Sequence, residues 1–378
     1  MTGKRSLVGV GFSLGVVGFL LLVVNNHQHS SVYTNNNSNN NNNNTRRRQL
    51  SNDPKTVEEK NSWKRDLFHR LNIIRATCGD LCSITDEDTY LAKVIPVPNG
   101  AFPRIEANVD CDAIIGNADI DACDPTVPYP PPKELMPFYT LDGMIHFNEF
   151  KKLQNTYLGG KALENRWTQQ DVEDQIRAAA TGTLPGTYGI PQTNVVRDQL
   201  AQANLTGKTV LVIGSEKPWL EAICLHLGAI MVTTLEYGAI HSEHPQLKTM
   251  TPATFRLAYQ NGSLGQFDMI VSFSSLEHSG LGRYGDALNP WGDILGVARA
   301  WCVTKPGGQM FLGLPSGPVD SVEFNAHRIY GEKRWPLIAT NWRQTDIGLK
   351  RTAMGGGTGY LFEKMNENGN INLSLTPE

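Results

Sequence analysis

Between residues 208 and 315 short apolar runs alternate with helical stretches, and a chain patterned this way has few ways to bury itself. KTVLVIG (208–214), AIMVTTLEY (229–237), FDMIVSFSS (267–275) and QMFLGLP (309–315) are rich in β-branched and aromatic residues and predict strands. PWLEAICLHLG (218–228), TPATFRLAYQ (251–260) and PWGDILGVARAWCV (290–303) predict the helices between them, and the turn Lys305-Pro306-Gly307-Gly308 precedes the last strand. Strands that are apolar almost throughout, joined by helices, imply a mostly parallel sheet covered on both faces: a doubly wound α/β domain spanning residues 199–365. Segments around Trp342 to Ile347 and Tyr360 to Lys364 are expected to add edge strands, and residues 366–378 to form a C-terminal tail.

The N-terminus is of another kind. Lys4 and Arg5 precede an uncharged run from Leu7 to Val24, about 27 Å long as a helix, which suits a thin bilayer. Residues 1–6 then form a cytosolic tail and 7–24 an uncleaved transmembrane signal anchor; Asn25-Asn26-His27-Gln28 offers no small-x-small cleavage site. The expected protein is type II, single-pass, in the membrane of the Golgi or endoplasmic reticulum, with its bulk in the lumen. Residues 25–62, dominated by the Asn-rich run 35–44, have no apolar face and predict a disordered stem in which Arg46-Arg47-Arg48 is simply solvated. Glycosylation triplets begin at Asn36, Asn43, Asn204, Asn261 and Asn372. A net charge of -3 gives no basic footprint, so nucleic acid is excluded as a partner.

Residues 63–198 mix helical patches (63–76, 163–180) with Pro- and Gly-rich turns (128–132, 182–191), which predicts a helical and irregular subdomain. Cys78, Cys82, Cys111 and Cys123 lie there, and in an oxidising lumen four cysteines predict two disulfides with three connectivities open. Cys224 and Cys302 fall in predicted helices and read as small buried apolar groups.

In a doubly wound sheet ligands bind at the carboxyl ends of the strands, so the residues just after each strand are the candidates. Gly214 and Ser215 follow the first strand, where a turn without side chains lets backbone N–H groups approach a ligand. Glu236 and Tyr237 follow the second, with the carboxylate placed to accept from ribose hydroxyls. After the strand ending near Ser274 come Glu277, His278, Arg283, Tyr284, Asp286 and Asp293 among glycines. An imidazole beside a carboxylate is the pairing general base catalysis needs, which makes His278 the candidate base, Glu277 its orienting partner, and Arg283 and Asp286 acceptor contacts. His327 and Arg328 are expected to complete the acceptor pocket. The alternative is an ion-paired loop that stabilises the sheet edge.

Read in order, VLVIG, LEY, FDMIVSFSSLEH and KPGGQMFLGLP resemble the core motifs of class I S-adenosylmethionine (SAM) methyltransferases. GSEKPWLEAI, SSLEHSGLGRYGDALNPWGD and FNAHRIYG resemble, more narrowly, a family grouped with that fold, domain of unknown function 268. The resemblance implies SAM as cofactor, held by Gly214, Ser215, Glu236, Tyr237 and Ser274, and methyl transfer to a hydroxyl of a glycan or other small-molecule acceptor of the secretory pathway. Where such methyltransferases carry Gly-x-Gly-x-Gly, this chain has Gly214-Ser215-Glu216-Lys217-Pro218, which brings Glu216 and Pro218 up to the place of the methionine moiety.

Other readings remain open. His241, Glu243 and His244 lack a compact ligand spacing, so no metal site is expected and these residues should face solvent. A tail, anchor, stem and luminal domain is also the plan of Golgi glycosyltransferases, and Asp110-Cys111-Asp112 and Asp119-Ile120-Asp121 match their metal-binding Asp-x-Asp pattern, although neither ends an apolar strand. A catalytically silent domain that binds a glycan or protein is the third reading.

Overall fold

The computed structural model describes residues 54–97, 101–124, 127–149, 165–346 and 358–365. At its centre is a seven-stranded sheet of β1 (Thr209–Ile213), β2 (Met231–Leu235), β3 (Leu247–Met250), β4 (Phe267–Phe273), β5 (Thr304–Leu314), β6 (Trp342–Gln344) and β7 (Thr358–Lys364), in the order β3-β2-β1-β4-β5-β7-β6. Strands β1 to β5 run parallel, and β7 is antiparallel to both β5 and β6. The winding reverses between β1 and β4, which opens a crevice at their carboxyl ends.

Burial on both faces explains the near-continuous apolar strands. Val210 and Val212 pack on one side with Ala179 of α2 (Gln169–Thr181), Val196 and Leu200 of α3 (Ile190–Leu200) and Leu220 and Ile223 of α4 (Trp219–His226). Leu211, between those valines, points to the other side, where Phe255 of α5 (Pro252–Gln260) and Val297 and Trp301 of α6 (Gly292–Val303) cover the sheet. The same alternation runs along β4, with Met269 and Val271 on the first face and Ile270 on the second. The expected mixed α/β architecture with a mostly parallel central sheet is therefore the one observed.

Several expectations are corrected. Thr358–Lys364 is not an edge strand; it inserts between β5 and β6, because its YLF run meets apolar partners on both faces. Leu247–Met250 is an extra strand at the opposite edge, too short and too exposed to carry an apolar signal. The segment read as a turn at 305–308 belongs to β5. Helix α1 (Pro54–Cys78) begins inside the predicted stem, and its buried Leu67, Leu71, Ile74 and Cys78 follow helical spacing into a cluster with Tyr139, Leu288 and Phe324.

Pro54–Glu378 forms one compact unit. The predicted tail 1–6, anchor 7–24, the stem as far as residue 53, Arg46-Arg47-Arg48, the triplets at Asn36, Asn43 and Asn372, and the tail 366–378 lie outside the described residues. Among the described residues no helix is long and apolar enough to cross a membrane. Asn204 and Asn261 are exposed.

The cysteine pairing also differs from expectation. The disulfides are Cys78–Cys82 and Cys111–Cys302, while Cys123 is an exposed thiol and Cys224 a buried one. Cys302 is not a free apolar group, because the short helix Cys111–Gly116 packs on α6 and brings the two Cα atoms to 5.5 Å across 191 residues of sequence. A second strap joins these regions: Asp124 N–H donates to Gly285 O at 2.8 Å and Ala287 N–H to Ala122 O at 2.8 Å, so the segment preceding the central sheet clamps the loop that follows β4.

Candidate active site

The loops that leave β1, β2 and β4 at their carboxyl ends line one cavity of about 310 Å³. Gly214, Ser215, Glu216 and Trp219 line it after β1, Glu236 and Tyr237 after β2, and Ser274, Ser275, His278, Ser279, Tyr284 and Asp286 after β4. Ladder hydrogen bonds fix these exits: Gly214 N–H donates to Leu235 O at 3.0 Å, Glu236 N–H to Met250 O at 3.0 Å and Ser274 N–H to Gly313 O at 2.8 Å. A deeper apolar lobe of about 80 Å³ continues beneath, between Leu235, Phe255, Leu276 and Ala300.

Gly214 is glycine for a reason the sequence does not announce. Its φ is +77°, and a Cβ there would lie 1.7 Å from Ser275 Oγ and 2.4 Å from Ser275 Cβ. The space above the glycine is thus filled by Ser275 of the neighbouring loop. Ser215 lines the cavity but is largely buried, with its hydroxyl engaged 2.7 Å from Lys217 O and 2.9 Å from Glu221 Oε2. Glu221, fully buried on α4, also accepts from Thr234 Oγ1 at 2.7 Å, and burial pushes its carboxyl up to about 7. One serine proton cannot serve both the Lys217 carbonyl and Glu221, so a protonated Glu221 that donates to Ser215 satisfies the set. Glu236 borders both lobes, and its Oε1 accepts from Tyr237 N–H at 2.6 Å.

The loop after β4 divides the remaining predicted residues. His278 lines the cavity together with Gly214 and Glu236. Its Nδ1 is 2.5 Å from Ala326 O, which as an acceptor fixes the proton on Nδ1. Burial, aided by the charges of Arg283 and His327, lowers the imidazole to about 3 and keeps it neutral. Glu277 lies behind the wall, not on it: its residue is 0 % exposed, Oε1 accepts from Ser274 Oγ at 2.7 Å and sits 3.6 Å from His278 Nε2, and burial raises the carboxyl to about 7. Asp286 reaches the cavity wall but organises the loop, accepting from the N–H groups of Gly280 at 2.7 Å, Tyr284 at 3.1 Å and Gly282 at 3.2 Å.

Arg283 does not border the cavity; its guanidinium donates to Ala326 O at 3.2 Å and lies over the Tyr284 ring. His327 does not border it either, and packs edge-on against His278 at 6.3 Å between ring centroids. Arg328 is fully buried beneath the loop, donating to Ser279 O at 2.6 Å, beside Asp293, which Arg334 holds through two hydrogen bonds. These side chains pin the loop and leave the cavity wall to others.

Sequence reasoning missed part of that wall. Thr187 and Tyr188 line the cavity from the segment read only as a turn, and Tyr188 OH donates to Ser274 Oγ at 2.5 Å. Trp219 and Tyr188 both stand edge-on to Phe273. A lone aromatic residue in a Gly/Pro-rich loop has no periodicity to betray it. The Asp-x-Asp pairs have structural partners: Asp110 caps the helix Cys111–Gly116, Asp112 accepts from Tyr259 OH, and Asp121 pairs with Arg256 and Arg299. Among the described residues no group of three or more His, Cys, Asp and Glu is placed to hold a metal ion.

Residues 207–347 match the model of the family described as Caenorhabditis protein of unknown function, DUF268. No curated protein matches the chain. Among solved structures, a putative hemolysin from Lactococcus lactis is similar at 16% identity over 47% of this chain and 86% of that one, with a TM-score of 0.33. The 1,6-didemethyltoxoflavin-N1-methyltransferase of Burkholderia thailandensis, with bound 1,6-didemethyltoxoflavin and S-adenosylhomocysteine, is similar at 16% identity over 56% of this chain and 84% of that one, with a TM-score of 0.31. A methyltransferase from Pyrococcus furiosus gives 17% identity, 47% and 85% coverage and a TM-score of 0.30. Neither the fold nor the site described above rests on likenesses this distant.

Proposed function

We propose that this chain, with its DUF268 segment at 207–347, binds SAM in the carboxyl-edge cavity and transfers a methyl group to an acceptor hydroxyl. The observation that carries the reading is the chemistry of the wall. Glu216, Glu236 and Asp286 contribute carboxyl groups, Tyr188, Trp219 and Tyr284 contribute aromatic rings, none of the described residues lining the larger lobe is Lys or Arg, and Arg299 of the deeper lobe is paired with Asp121. A wall of carboxyl groups and aromatic faces favours a cation and disfavours a diphosphate. SAM carries a sulfonium, whereas a nucleotide sugar brings two phosphates, so the methyltransferase reading is preferred to the glycosyltransferase one. The structural partners of both Asp-x-Asp pairs support the same choice.

The residues present fit the cofactor with one adjustment to the resemblance. Glu236 sits where ribose hydroxyls would be accepted, one strand away from the Gly214 turn. Ser275 and Trp219 take the place of the missing glycines as walls rather than as a backbone cradle. When bound, SAM supplies an electrophilic methyl carbon. The chain's own task is then to hold an acceptor hydroxyl in line and to take its proton, because a neutral hydroxyl is a weak nucleophile. The acceptor is proposed to be a glycan or other hydroxyl compound of the secretory pathway. The anchor expected at 7–24 supports that placement, and two disulfides suit an oxidising lumen.

Glu236→Ala tests the reading. Leaving ribose hydroxyls unpaired should weaken SAM binding by about 1–3 kcal/mol, measured by titration calorimetry. An unchanged affinity would remove Glu236 from the cofactor site.

A further inference from the structure

Tyr188 and Ser274 both line the cavity, and the hydrogen bonds behind them all point inward. Tyr188 OH donates to Ser274 Oγ at 2.5 Å, and Ser274 Oγ donates to Glu277 Oε1 at 2.7 Å. Glu277 is 0 % exposed, and its Oε2 meets no donor among the described residues. Ser274 is held in the left-handed region at φ +52°, a conformation unfavourable for serine, with its N–H tied to Gly313 O. The strain sits where the hydroxyl is handed from the cavity to the buried carboxyl.

We propose that Tyr188, Ser274 and Glu277 form a proton wire, and that Glu277, rather than His278, stores the proton an acceptor hydroxyl gives up in the cavity. The inference rests on the methyl-transfer reading and deepens it. As the acceptor O–H bond breaks, its proton goes to the Tyr188 oxygen, the Tyr188 proton to Ser274 Oγ, and the Ser274 proton to Glu277 Oε1. The acceptor oxygen keeps the electron pair with which it would bond to the methyl carbon, whose bond to sulfur would break with its pair left on the departing S-adenosylhomocysteine. Both hydroxyls end as they began, each having exchanged one proton, and the store empties by the reverse route to water once product has left.

The electrostatics agree with this division. Facing Glu277 are the hydroxyls of Ser274 and Tyr188, the His278 imidazole, the guanidinium groups of Arg283 and Arg328, and the phenols of Tyr284 and Tyr330. Burial outweighs the two guanidinium groups and brings the carboxyl to about 7, where it exchanges a proton readily at neutral pH. His278 at about 3 gives up any proton it receives.

Two measurements on the full chain test the wire. In the ligand-free protein, infrared titration should show carboxylic-acid carbonyl bands with near-neutral midpoints from Glu221 and Glu277, and the Glu277 band is the one that Glu277→Gln abolishes and Glu221→Gln leaves. Tyr188→Phe should keep that midpoint and slow deuterium exchange into the band, an effect a merely structural tyrosine would not produce. Absence of the band, or exchange unaffected by Tyr188→Phe, overturns the wire whatever the cofactor. The second measurement is calorimetry in buffers of different ionisation enthalpy. Binding of cationic SAM at pH 7 should release about half a proton per site, binding of neutral S-adenosylhomocysteine less, and Glu277→Gln should lose the difference and, by linkage, bind SAM more weakly while keeping affinity for S-adenosylhomocysteine. SAM binding without proton release, or with release unchanged in Glu277→Gln, sinks the wire and leaves the cofactor reading standing. Failure of both ligands to bind sinks the cofactor reading, and the infrared titration alone then decides whether Glu277 stores a proton.

Discussion

Gly214→Ala should destabilise the protein through Ser275, and the size of the effect follows from the geometry. The new methyl group would start 1.7 Å from Ser275 Oγ and 2.4 Å from its Cβ. Rotation about χ1 can move Oγ but not Cβ, so the loops after β1 and β4 must part. Overpacking of that kind costs about 1–3 kcal/mol, and alanine at φ +77° adds about 1–2 kcal/mol of backbone strain. Ser275→Gly removes both contacts and leaves only the Ser275 Cα at 3.7 Å, an ordinary separation. The double variant should therefore recover about 1–3 kcal/mol relative to the sum of the single changes. Urea unfolding followed by far-ultraviolet circular dichroism supplies the four stabilities of the cycle. Simple additivity would show that Ser275 does not fill the space above Gly214, and the description of the cofactor edge would have to be redrawn.

Further expectations concern the buried charges and the thiols. The Glu221 and Glu277 carboxyls are raised from 4.5 to about 7, so each contributes stability that is fully present below about pH 4.5 and lost as pH rises through about 7. Unfolding free energy should fall over that window by on the order of 3 kcal/mol per carboxyl, and Glu221→Gln should flatten the fall; an undiminished fall would mean Glu221 is ionised in the folded state. Asp293→Asn leaves Arg328 and Arg334 buried without their anionic partner and should cost about 3–5 kcal/mol in the same assay; a loss below about 1 kcal/mol would place the loop's support elsewhere. Thiol labelling should modify Cys123 in the native protein and Cys224 only after unfolding, with the other four cysteines unreactive until reduced; six reactive thiols in the unreduced, unfolded chain would exclude both disulfides.

How much of this the sequence discloses depends on the range of the interaction. Strands β1, β2 and β4 are legible because Val210, Val232 and Ile270 lie in runs whose apolar character is set by burial on both faces. Glu236 and His278 are legible as cavity residues because parallel topology puts every strand exit on one edge. Tyr188 is not, since it reaches Ser274 across 86 residues, and no local pattern encodes that approach. The disulfide role of Cys302 is hidden for the same reason, its partner lying 191 residues away. Arg283 and His327 looked like contacts for an acceptor because charge and imidazole are chemically apt. In the fold one turns to Ala326 O and the other packs edge-on against His278.

The central claim is that the carboxyl-edge cavity takes a cationic, ribose-bearing cofactor, and direct binding by titration calorimetry tests it most simply. The full chain should bind SAM and S-adenosylhomocysteine, should bind neither UDP-glucose nor GDP-mannose, with or without divalent cation, and should lose SAM affinity in Glu236→Ala. Binding of a nucleotide sugar with no affinity for SAM would contradict the claim and give the cavity to the glycosyltransferase reading.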